Sequence, residues 1–435
     1  MSMLSKPVPR RSFLKTTSAP AALTFFNRAR ALADAPTQLV FWTENVAGYG
    51  SEPAEASFLE EYAKSHPQIK ISRRLVPSQD FNKQFKAAVA AGEPYDLVEV
   101  NIQFFRDYIY NDLLQDLTSV LEPVLERDFL PMATEQLHLF AMKKAVFGIP
   151  TQLVTTGIYY NKKVFSAHNL EVPVTWDDVR GIVKKLAGTG IAPFVYAGAE
   201  PWWNPMWFNA FFFQRTKNNG IAVNEAVMKG QTSFDSEPYV QAIQDIVDLD
   251  RQGIMIKGSQ GIDMATADTI FQRGQAAMIF MGTWYDTGLK RAKFTDYDVF
   301  PFPVLDHALK SQAPGSIGEL YSVGANSQHK PDAIEVVQQM SGESFQKAIL
   351  STPGAGLPLL KSLQGINQGP VIQSFAKIAP STVVWLDALW EPEIISAVQN
   401  GVQTAIVGSA TPKQVAASIA EKYKELREDG RTFYK

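Results

Sequence analysis

The chain has 435 residues, a formal net charge of −3 at pH 7 and no cysteine. Without cysteine it can form neither disulfides nor thiolate metal sites, and it has no cysteine to serve as a nucleophile or to carry a lipid anchor. Charges of both signs are interspersed, which argues against nucleic-acid binding because neutralising phosphates requires clustered Lys and Arg. The length exceeds the roughly 250 to 300 residues at which a single core stops growing, so two lobes are expected.

The N-terminal segment has the features of an export signal. Arg10-Arg11 comes before Phe13-Leu14-Lys15, a weakly apolar stretch from Ala19 to Phe26, and the triplet Ala31-Leu32-Ala33. This order predicts a twin-arginine signal peptide over residues 1–33 and a mature chain that begins near Asp34. The translocase would be a partner during export, and the product a soluble periplasmic protein that is not a lipoprotein. An ordinary basic amphipathic N-terminus is the alternative.

From Gln38 onward, short apolar runs alternate with helical segments, as in an α/β sheet with crossover helices. The pattern predicts strands at 38–42, 69–75 and 96–100, with two helices between them whose apolar faces carry Phe58, Tyr62, Phe81 and Phe85. A β-α-β-α-β order puts the carboxyl ends of the parallel strands at one edge, which is where open α/β sheets bind ligands.

Two later helix starts are marked by capping residues. Thr175 and Asp178 form a predicted capping box, and Thr411-Pro412 predicts the beginning of a C-terminal helix. Proline and glycine clusters at 301–303, 314–316 and 353–356 indicate turns or crossings between lobes rather than long linkers.

The sequence contains no catalytic or metal-binding pattern. It has no phosphate-binding glycine loop, no His-Glu-x-x-His helix and no Gly-x-Ser-x-Gly turn. Its five histidines stand far apart and lack ligand spacing. We therefore predict no catalytic residue, no metal and no cofactor.

Tryptophans occur at predicted strand ends and in polar loops, with acids and amides one or two positions away. Trp42 ends the first strand, Trp202 and Trp203 lie in a proline-containing loop, and Trp284 follows an apolar strand. Aromatic faces stack on the apolar faces of sugars, while carboxylates and amides form hydrogen bonds with hydroxyl groups. The combination predicts a carbohydrate site, and packing in a core is the alternative for each ring.

Several short segments keep a distinctive order and spacing. The most specific runs from Phe271 to Met278 and continues to Gly282-Thr283-Trp284; others are Leu39-Val40-Phe41-Trp42 and Phe147-Gly148-Ile149-Pro150. Together they resemble the extracellular solute-binding proteins of ATP-driven sugar importers, the family that includes maltose-binding proteins. The resemblance extends over nearly the whole chain after the leader.

The resemblance implies an α/β, two-lobed, periplasmic-binding-protein-like (type II) fold with a hinge and a ligand cleft between the lobes. Residues 36–152 and 304–368 would form lobe one, and residues 153–303 and 369–435 lobe two. The chain would cross the hinge near 150–156, near 301–303 and near 357–372.

Matched position by position, the resemblance also implies a ligand site. Its residues would be Trp42, Glu44, Asn45, Gln79, Glu99, Asn101, Gln152, Trp202, Trp203, Trp284, Tyr285, Asp286, Glu319 and Trp390. Some oligosaccharide binders carry an acid between the positions of Pro150 and Tyr160, and this chain has Gln152, Thr155 and Thr156 there instead.

The implied function is that of a receptor and not of an enzyme. As a monomer, it would bind a mono- or oligosaccharide and deliver it to the membrane permease subunits of an ABC transporter. A periplasmic glycoside hydrolase or lyase is the alternative, because Glu44, Glu99, Asp286 and Glu319 would supply carboxylates to a cleft. A receptor for an anionic or phosphorylated sugar or polyol is another, and it would require Arg or Lys in the cleft.

Overall fold

The computed structural model of the protein describes residues 36–44, 52–352, 354–366 and 368–434, without the side chain of Gln79. The signal peptide predicted over residues 1–33 and the predicted site residue Asn45 lie outside the described residues. Within these ranges, no helix is both long and apolar enough to cross a membrane.

The described residues form two sheets with helices on their faces. The strands are β1 Thr37–Glu44, β2 Ile69–Val76, β3 Leu97–Val100, β4 Ile149–Pro150, β5 Gln152–Asn161, β6 Ala192–Phe194, β7 Ala276–Gly282, β8 Tyr297–Phe300, β9 Ala313–Ile317, β10 Leu320–Val323, β11 Leu357–Pro358 and β12 Thr382–Val384.

The α-helices alternate with the strands along most of the chain. They are α1 Glu52–Ser65, α2 Ser78–Ala90, α3 Ile102–Tyr110, α4 Thr118–Asp128, α5 Pro131–Ala141, α6 Lys162–Ala167, α7 Trp176–Leu186, α8 Trp203–Arg215, α9 Gly220–Met228, α10 Glu237–Arg251, α11 Met264–Gln272, α12 Tyr285–Arg291, α13 Lys330–Met340, α14 Glu343–Leu350, α15 Pro370–Ile378, α16 Pro392–Ile406 and α17 Pro412–Glu428. Short 3₁₀ helices span Ser259–Gly261, Lys361–Leu363, Ala379–Ser381 and Asp387–Leu389.

The first sheet has the strand order β2-β1-β3-β10-β4. Strands β2 and β3 run parallel to β1, whereas β10 runs antiparallel to both β3 and β4. The three N-terminal strands lie where the sequence predicts them, each within two residues at either end. Their parallel order places the carboxyl ends of β1 and β3 at one edge of the sheet.

The second sheet is built around the long strand β5. Strands β7, β8, β9 and β11 pair with β5 in antiparallel orientation, β6 pairs with β7, and β12 pairs with β9. All seven residues of β7 are buried, as its uninterrupted apolar sequence predicts. The capping box predicted at Thr175 is present, and Thr411 caps the predicted C-terminal helix, where it also forms a capping box with Gln414.

Three segments connect the two sheets and form the hinge. The chain passes from β4 to β5 at Thr151, returns from β9 to β10 through Gly318 and Glu319, and finally runs from α14 in the first lobe through Gly356 and β11 to α15 in the second lobe. The crossing predicted near 301–303 is therefore misplaced. Phe302 remains in the aromatic core of lobe two, where its ring centroid lies 4.9 Å from that of Phe280.

Candidate ligand-binding site

The structure brings three predicted site residues to one edge of the first sheet. Glu44 is the last residue of β1, and Glu99 lies in the neighbouring strand β3. Asn101 follows β3 and caps α3, its side chain accepting a hydrogen bond from the backbone N–H of Gln103 at 3.1 Å. A fourth predicted site residue, Gln79, lies in the first turn of α2, which follows β2 of the same sheet.

A buried cluster of carboxylates lies beneath this edge. The hydroxyl of Thr43 is 2.9 Å from Oε2 of Glu55 and 2.6 Å from Oε2 of Glu99. The same Glu99 oxygen accepts the backbone N–H of Glu44 at 2.8 Å. Tyr321 donates its hydroxyl to the other oxygen of Glu55 at 2.7 Å. Glu99 thus holds the end of β1 in place from inside the lobe.

Burial controls the charge state of this cluster. The pKa of Glu44 is raised to about 7, chiefly by burial and also by the charges of Glu319 and Glu55, against the lowering effect of the hydrogen bond from the Ser78 hydroxyl. Burial, followed by the nearby carboxylates, also raises the pKa of Glu99 well above its ordinary value. A carboxyl group that is protonated near neutral pH can donate a hydrogen bond as well as accept one.

Trp42 is not available to a ligand. Its ring is 1% exposed and packs edge-on against Phe81 and Phe85, with ring centroids 6.3 and 5.5 Å away. The guanidinium carbon of Arg74 lies 3.9 Å from its ring centroid. The structure places Trp42 in the core of lobe one, which corrects the expectation that it stacks on a sugar.

The two tryptophans of the proline-containing loop differ in exposure. Trp203 is fully buried and donates its indole N–H to the carbonyl of Phe280 at 2.9 Å. Its ring lies nearly parallel to those of Tyr196 and Trp202, at 8° and 7°. Trp203 is therefore a core residue, contrary to the prediction, whereas Trp202 is the partly exposed end of this stack.

Trp284 is partly exposed beside the hinge. It follows β7, and its ring folds back over Gly282, where a Cβ atom would lie 1.9 Å from a ring carbon. The ring centroid of Trp385 lies 6.3 Å away, and the backbone N–H of Trp385 donates to the carbonyl of Gly315 in β9 at 3.2 Å. Two indole rings therefore lie next to the crossing that carries Glu319.

The residues after Trp284 point into lobe two. The buried ring of Tyr285 packs edge-on against Tyr159 at 5.1 Å. The buried carboxylate of Asp286 accepts the hydroxyl of Tyr297 and pairs with the ammonium of Lys290 at 2.6 Å. Both were predicted to contact the ligand. The structure corrects this, because both side chains are buried and pack between α12 and the rest of lobe two.

Trp390 is also a core residue rather than a ligand contact. It is 1% exposed, its indole N–H donates to Oδ1 of Asn224 at 2.7 Å, and Phe208 and Phe234 pack against its ring. The expectation that it lines the site is corrected accordingly.

Gln152 and Glu319 meet at the hinge, one on each of two adjacent crossings. The side-chain amide of Gln152 donates to Oε2 of Glu319 at 2.6 Å, and its carbonyl oxygen accepts the backbone N–H of Gly356. Both were predicted from the resemblance, and the structure brings them together.

Three residues near this site were missed by sequence reasoning. Glu55 is one of several glutamates in α1, so nothing marks it as buried. Trp385 follows the short strand β12, and a tryptophan after a strand was a usable signal. Asp387 accepts Nε2 of Gln103 in lobe one at 2.6 Å and Nδ2 of Asn209 in lobe two at 3.0 Å, a pairing of residues distant in sequence that no local pattern reveals.

The arrangement is suited to binding. The partly exposed ring of Trp284 lies beside the hinge, Glu319 lies on one of the crossings, and Glu44 lies at the end of β1. Within the described residues, no three or more His, Cys, Asp or Glu side chains are grouped so as to hold a metal ion.

A family model for bacterial extracellular solute-binding proteins matches residues 47–347, more than half of the chain. The chain belongs to this family. The resemblance inferred from the sequence is thereby confirmed, and the family is one of exported binding proteins rather than enzymes. The hydrolase or lyase alternative is not supported.

Two curated sugar-binding relatives match over most of their length. The multiple sugar-binding protein of Streptococcus mutans is 23% identical over 353 residues, which are 77% of this chain and 79% of the relative. The galactooligosaccharide-binding protein of Bacillus subtilis is 20% identical over 406 residues, 89% of each chain.

Solved structures share the fold. A chitin oligosaccharide binding protein aligns with a TM-score of 0.79 at 20% identity, covering 90% of this chain and 98% of its own. RafE in complex with raffinose aligns with a TM-score of 0.72 at 20% identity, covering 90% of this chain and all of its own. The predicted two-lobed α/β fold is confirmed.

Proposed function

We propose that the protein is the substrate-binding component of an ABC transporter. It captures a mono- or oligosaccharide between its lobes and delivers it to the membrane permease subunits. Family membership supports the receptor role, and the sugar-binding names of its curated relatives support the class of ligand.

The observation that carries the carbohydrate assignment is the indole pair beside the hinge. Trp284 is partly exposed, Trp385 packs against it, and the carboxylate of Glu319 lies on the adjacent crossing. Trp202 offers a third ring, and Glu44 a second carboxylate at the opposite lobe. Rings for stacking together with oxygens for hydroxyl groups are what a sugar requires.

The charges at the site favour a neutral sugar over the anionic alternative. Glu44, Glu99 and Glu319 all bring carboxyl groups to the first lobe's edge, and Glu44 and Glu99 have pKa values raised by burial. The two arginines of the nearby strand β2, Arg73 and Arg74, pair with other glutamates. The carboxylate of Glu319 would repel an anionic ligand, and such a ligand would not find either arginine free.

Calorimetric titration tests this function with a panel containing maltose, raffinose, galactose, chitin oligosaccharides, arabinooligosaccharides and a sugar phosphate. We expect micromolar binding of at least one neutral sugar, which corresponds to about 8 kcal/mol. The affinity should change little with salt, because a neutral ligand is not screened. Binding of the sugar phosphate alone would overturn the assignment, as would no binding by the whole panel.

We also propose export to the periplasm by the twin-arginine translocase and a monomeric, non-lipidated mature protein. The order of Arg10-Arg11, Phe13-Leu14-Lys15 and Ala31-Leu32-Ala33 supports this route. Replacing both arginines with lysine should leave the full-length precursor in the cytoplasm, whereas the parent chain is cut near Asp34. Light scattering of the mature protein should give the mass of one chain.

A further inference from the structure

The side chain of Gln152 joins the three segments that cross between the lobes. It lies at the beginning of β5, on the first crossing. Its NH₂ group donates to the carboxylate of Glu319 on the second crossing at 2.6 Å, and its carbonyl oxygen accepts the backbone N–H of Gly356 at the start of the third. One residue thus contacts all three connections.

The backbone is fitted closely around this side chain. The carbonyl of Gln152 accepts the N–H of Gly318 at 2.6 Å. A Cβ atom on Gly318 would lie 2.8 Å from Cγ of Gln152, and one on Gly356 would lie 2.2 Å from the backbone oxygen of Leu153. Glycine at both positions allows the crossings to approach the glutamine this closely.

The polarity of these contacts requires an amide. Glu319 needs a donor and the N–H of Gly356 needs an acceptor, and a neutral amide supplies both from one planar group. A carboxylate at position 152 would still accept from Gly356, but it would oppose the carboxylate of Glu319 at hydrogen-bond distance.

We propose that Gln152 is a positioning residue, not a ligand contact, and that it sets the relative orientation of the lobes and the direction of the Glu319 carboxylate together. The second part of this proposal rests on the proposed function, in which Glu319 contacts the sugar. The first part concerns the hinge alone and holds for the chain without ligand.

A donor and acceptor exchange tests the pairing. Gln152→Glu places two carboxylates together and is expected to shift or broaden the interlobe distance distribution and to lower the melting temperature at about pH 8. Both effects should shrink at about pH 5, where one carboxyl of the pair takes up a proton and can donate again. The double variant Gln152→Glu with Glu319→Gln restores one donor and one acceptor, so it should recover the parent values at both pH values.

Interlobe distances can be measured by pulsed electron resonance between two nitroxide labels. The chain has no cysteine, so Glu61→Cys in α1 and Lys184→Cys in α7 would introduce the only attachment sites. Both positions are exposed, one in each lobe. All measurements are made without sugar, so they do not depend on which ligand the protein binds.

Gln368→Glu is the matched control. The amide of Gln368 also bonds to the third crossing, donating to the carbonyl of Gly356 at 2.9 Å and to that of Leu350 at 3.1 Å, both of which are backbone acceptors. Gln368→Glu is expected to lower the melting temperature, but Glu319→Gln should not rescue it.

An exchange variant that stays as perturbed as Gln152→Glu would overturn the hinge role. So would a Gln152→Glu variant whose interlobe distances equal those of the parent at about pH 8. The same variants titrated with the neutral sugars of the calorimetric panel, which are maltose, raffinose, galactose, chitin oligosaccharides and arabinooligosaccharides, test the contact between Glu319 and the ligand. The exchange variant should recover the interlobe distances of the parent. It should nevertheless bind sugar at least tenfold more weakly than the parent does, because Glu319 has been replaced. If the parent binds none, the proposed function is questioned while the hinge result stands.

Discussion

At the scale of single residues, burial decides what the carboxylates at the first lobe's edge can do. Glu44 is 8% exposed and Glu99 is 2% exposed, and burial disfavours the charged form of each. Thr43 has one proton to share between two glutamate oxygens within hydrogen-bond distance. A proton retained by one of those carboxyls satisfies the second contact, which agrees with the raised pKa of Glu99.

Glu44→Gln should therefore stabilise the protein in a pH-dependent way. The folded-state pKa of about 7 lies above the ordinary 4.5, so the folded chain holds this proton more tightly than the unfolded chain. The group's contribution to the free energy of unfolding is fully present below about pH 4.5 and is lost as the pH rises through about 7. The shift corresponds to at most about 3 kcal/mol.

The measurement is the melting temperature of both proteins from about pH 5 to about pH 8. The gain of Glu44→Gln over the parent should grow across this range. Exposed Glu126→Gln, also in lobe one, controls for the general loss of a negative charge. A gain that is the same at every pH would contradict the assignment.

Trp203 and Trp284 differ in burial, so their replacement by alanine should have different effects. Trp203→Ala empties a fully buried site and should lower the free energy of unfolding by about 3 to 5 kcal/mol. Trp284→Ala removes a partly exposed ring and should lower the melting temperature far less. It should weaken the affinity for the most tightly bound sugar of the panel about tenfold, or by ~1.4 kcal/mol. Thermal melts and calorimetry on both variants check this. A large loss of stability with unchanged affinity for Trp284→Ala would identify it as a core residue.

At the scale of elements, the glycine at the end of β7 leaves the space that the ring of Trp284 occupies. Gly282 is opposite Thr156 in β5, and the ring of Trp284 occupies the space above it. Any other residue at 282 would push the ring away from Trp385 or distort the strand. The glycine therefore determines where the indole lies relative to the hinge.

Gly282→Ala should displace Trp284, because the new methyl group would lie 1.9 Å from a ring carbon. We expect a lower melting temperature and a changed tryptophan emission spectrum. Gly181→Ala is the control: this helix position has open space around it, and alanine there should add roughly 0.5 to 1 kcal/mol. An unchanged emission spectrum in Gly282→Ala would contradict the packing described for Trp284.

Elements with local signals could be predicted from the sequence, and those fixed by distant partners could not. Strand β7 and the caps at Thr175 and Thr411 follow from short patterns of residues. The hinge crossing was misplaced because Pro301 and Pro303 interrupt the pattern in the same way as a linker, although Phe302 between them packs in a core. Polar neighbours did not reveal which indole faces the cleft, because the rings of Trp42 and Trp203 turn inward onto aromatic partners of their own lobe.

At the scale of the whole molecule, the lobes also touch away from the three crossings. Asp387 accepts an amide from each lobe, and the guanidinium of Arg106 in α3 donates to the carbonyl of Leu389 at 3.1 Å. These contacts join α3 to the segment after β12. They add to the crossings in fixing how the lobes face each other, which determines what size of ligand both can touch.

Asp387→Asn should loosen this junction with almost no change in shape. An asparagine has one acceptor oxygen where the carboxylate has two, so one of the amides of Gln103 and Asn209 would meet an NH₂ group instead. Leaving a buried polar group unpaired costs about 1 to 3 kcal/mol, so we expect a lower melting temperature and a wider interlobe distance distribution. The side chain of Asp177 is 83% exposed and forms a surface ion pair with Arg180, so Asp177→Asn should change the stability by no more than about 1 kcal/mol and should leave the interlobe distances unchanged. If Asp387→Asn left both the stability and the distance distribution unchanged, the contact would not contribute to holding the lobes.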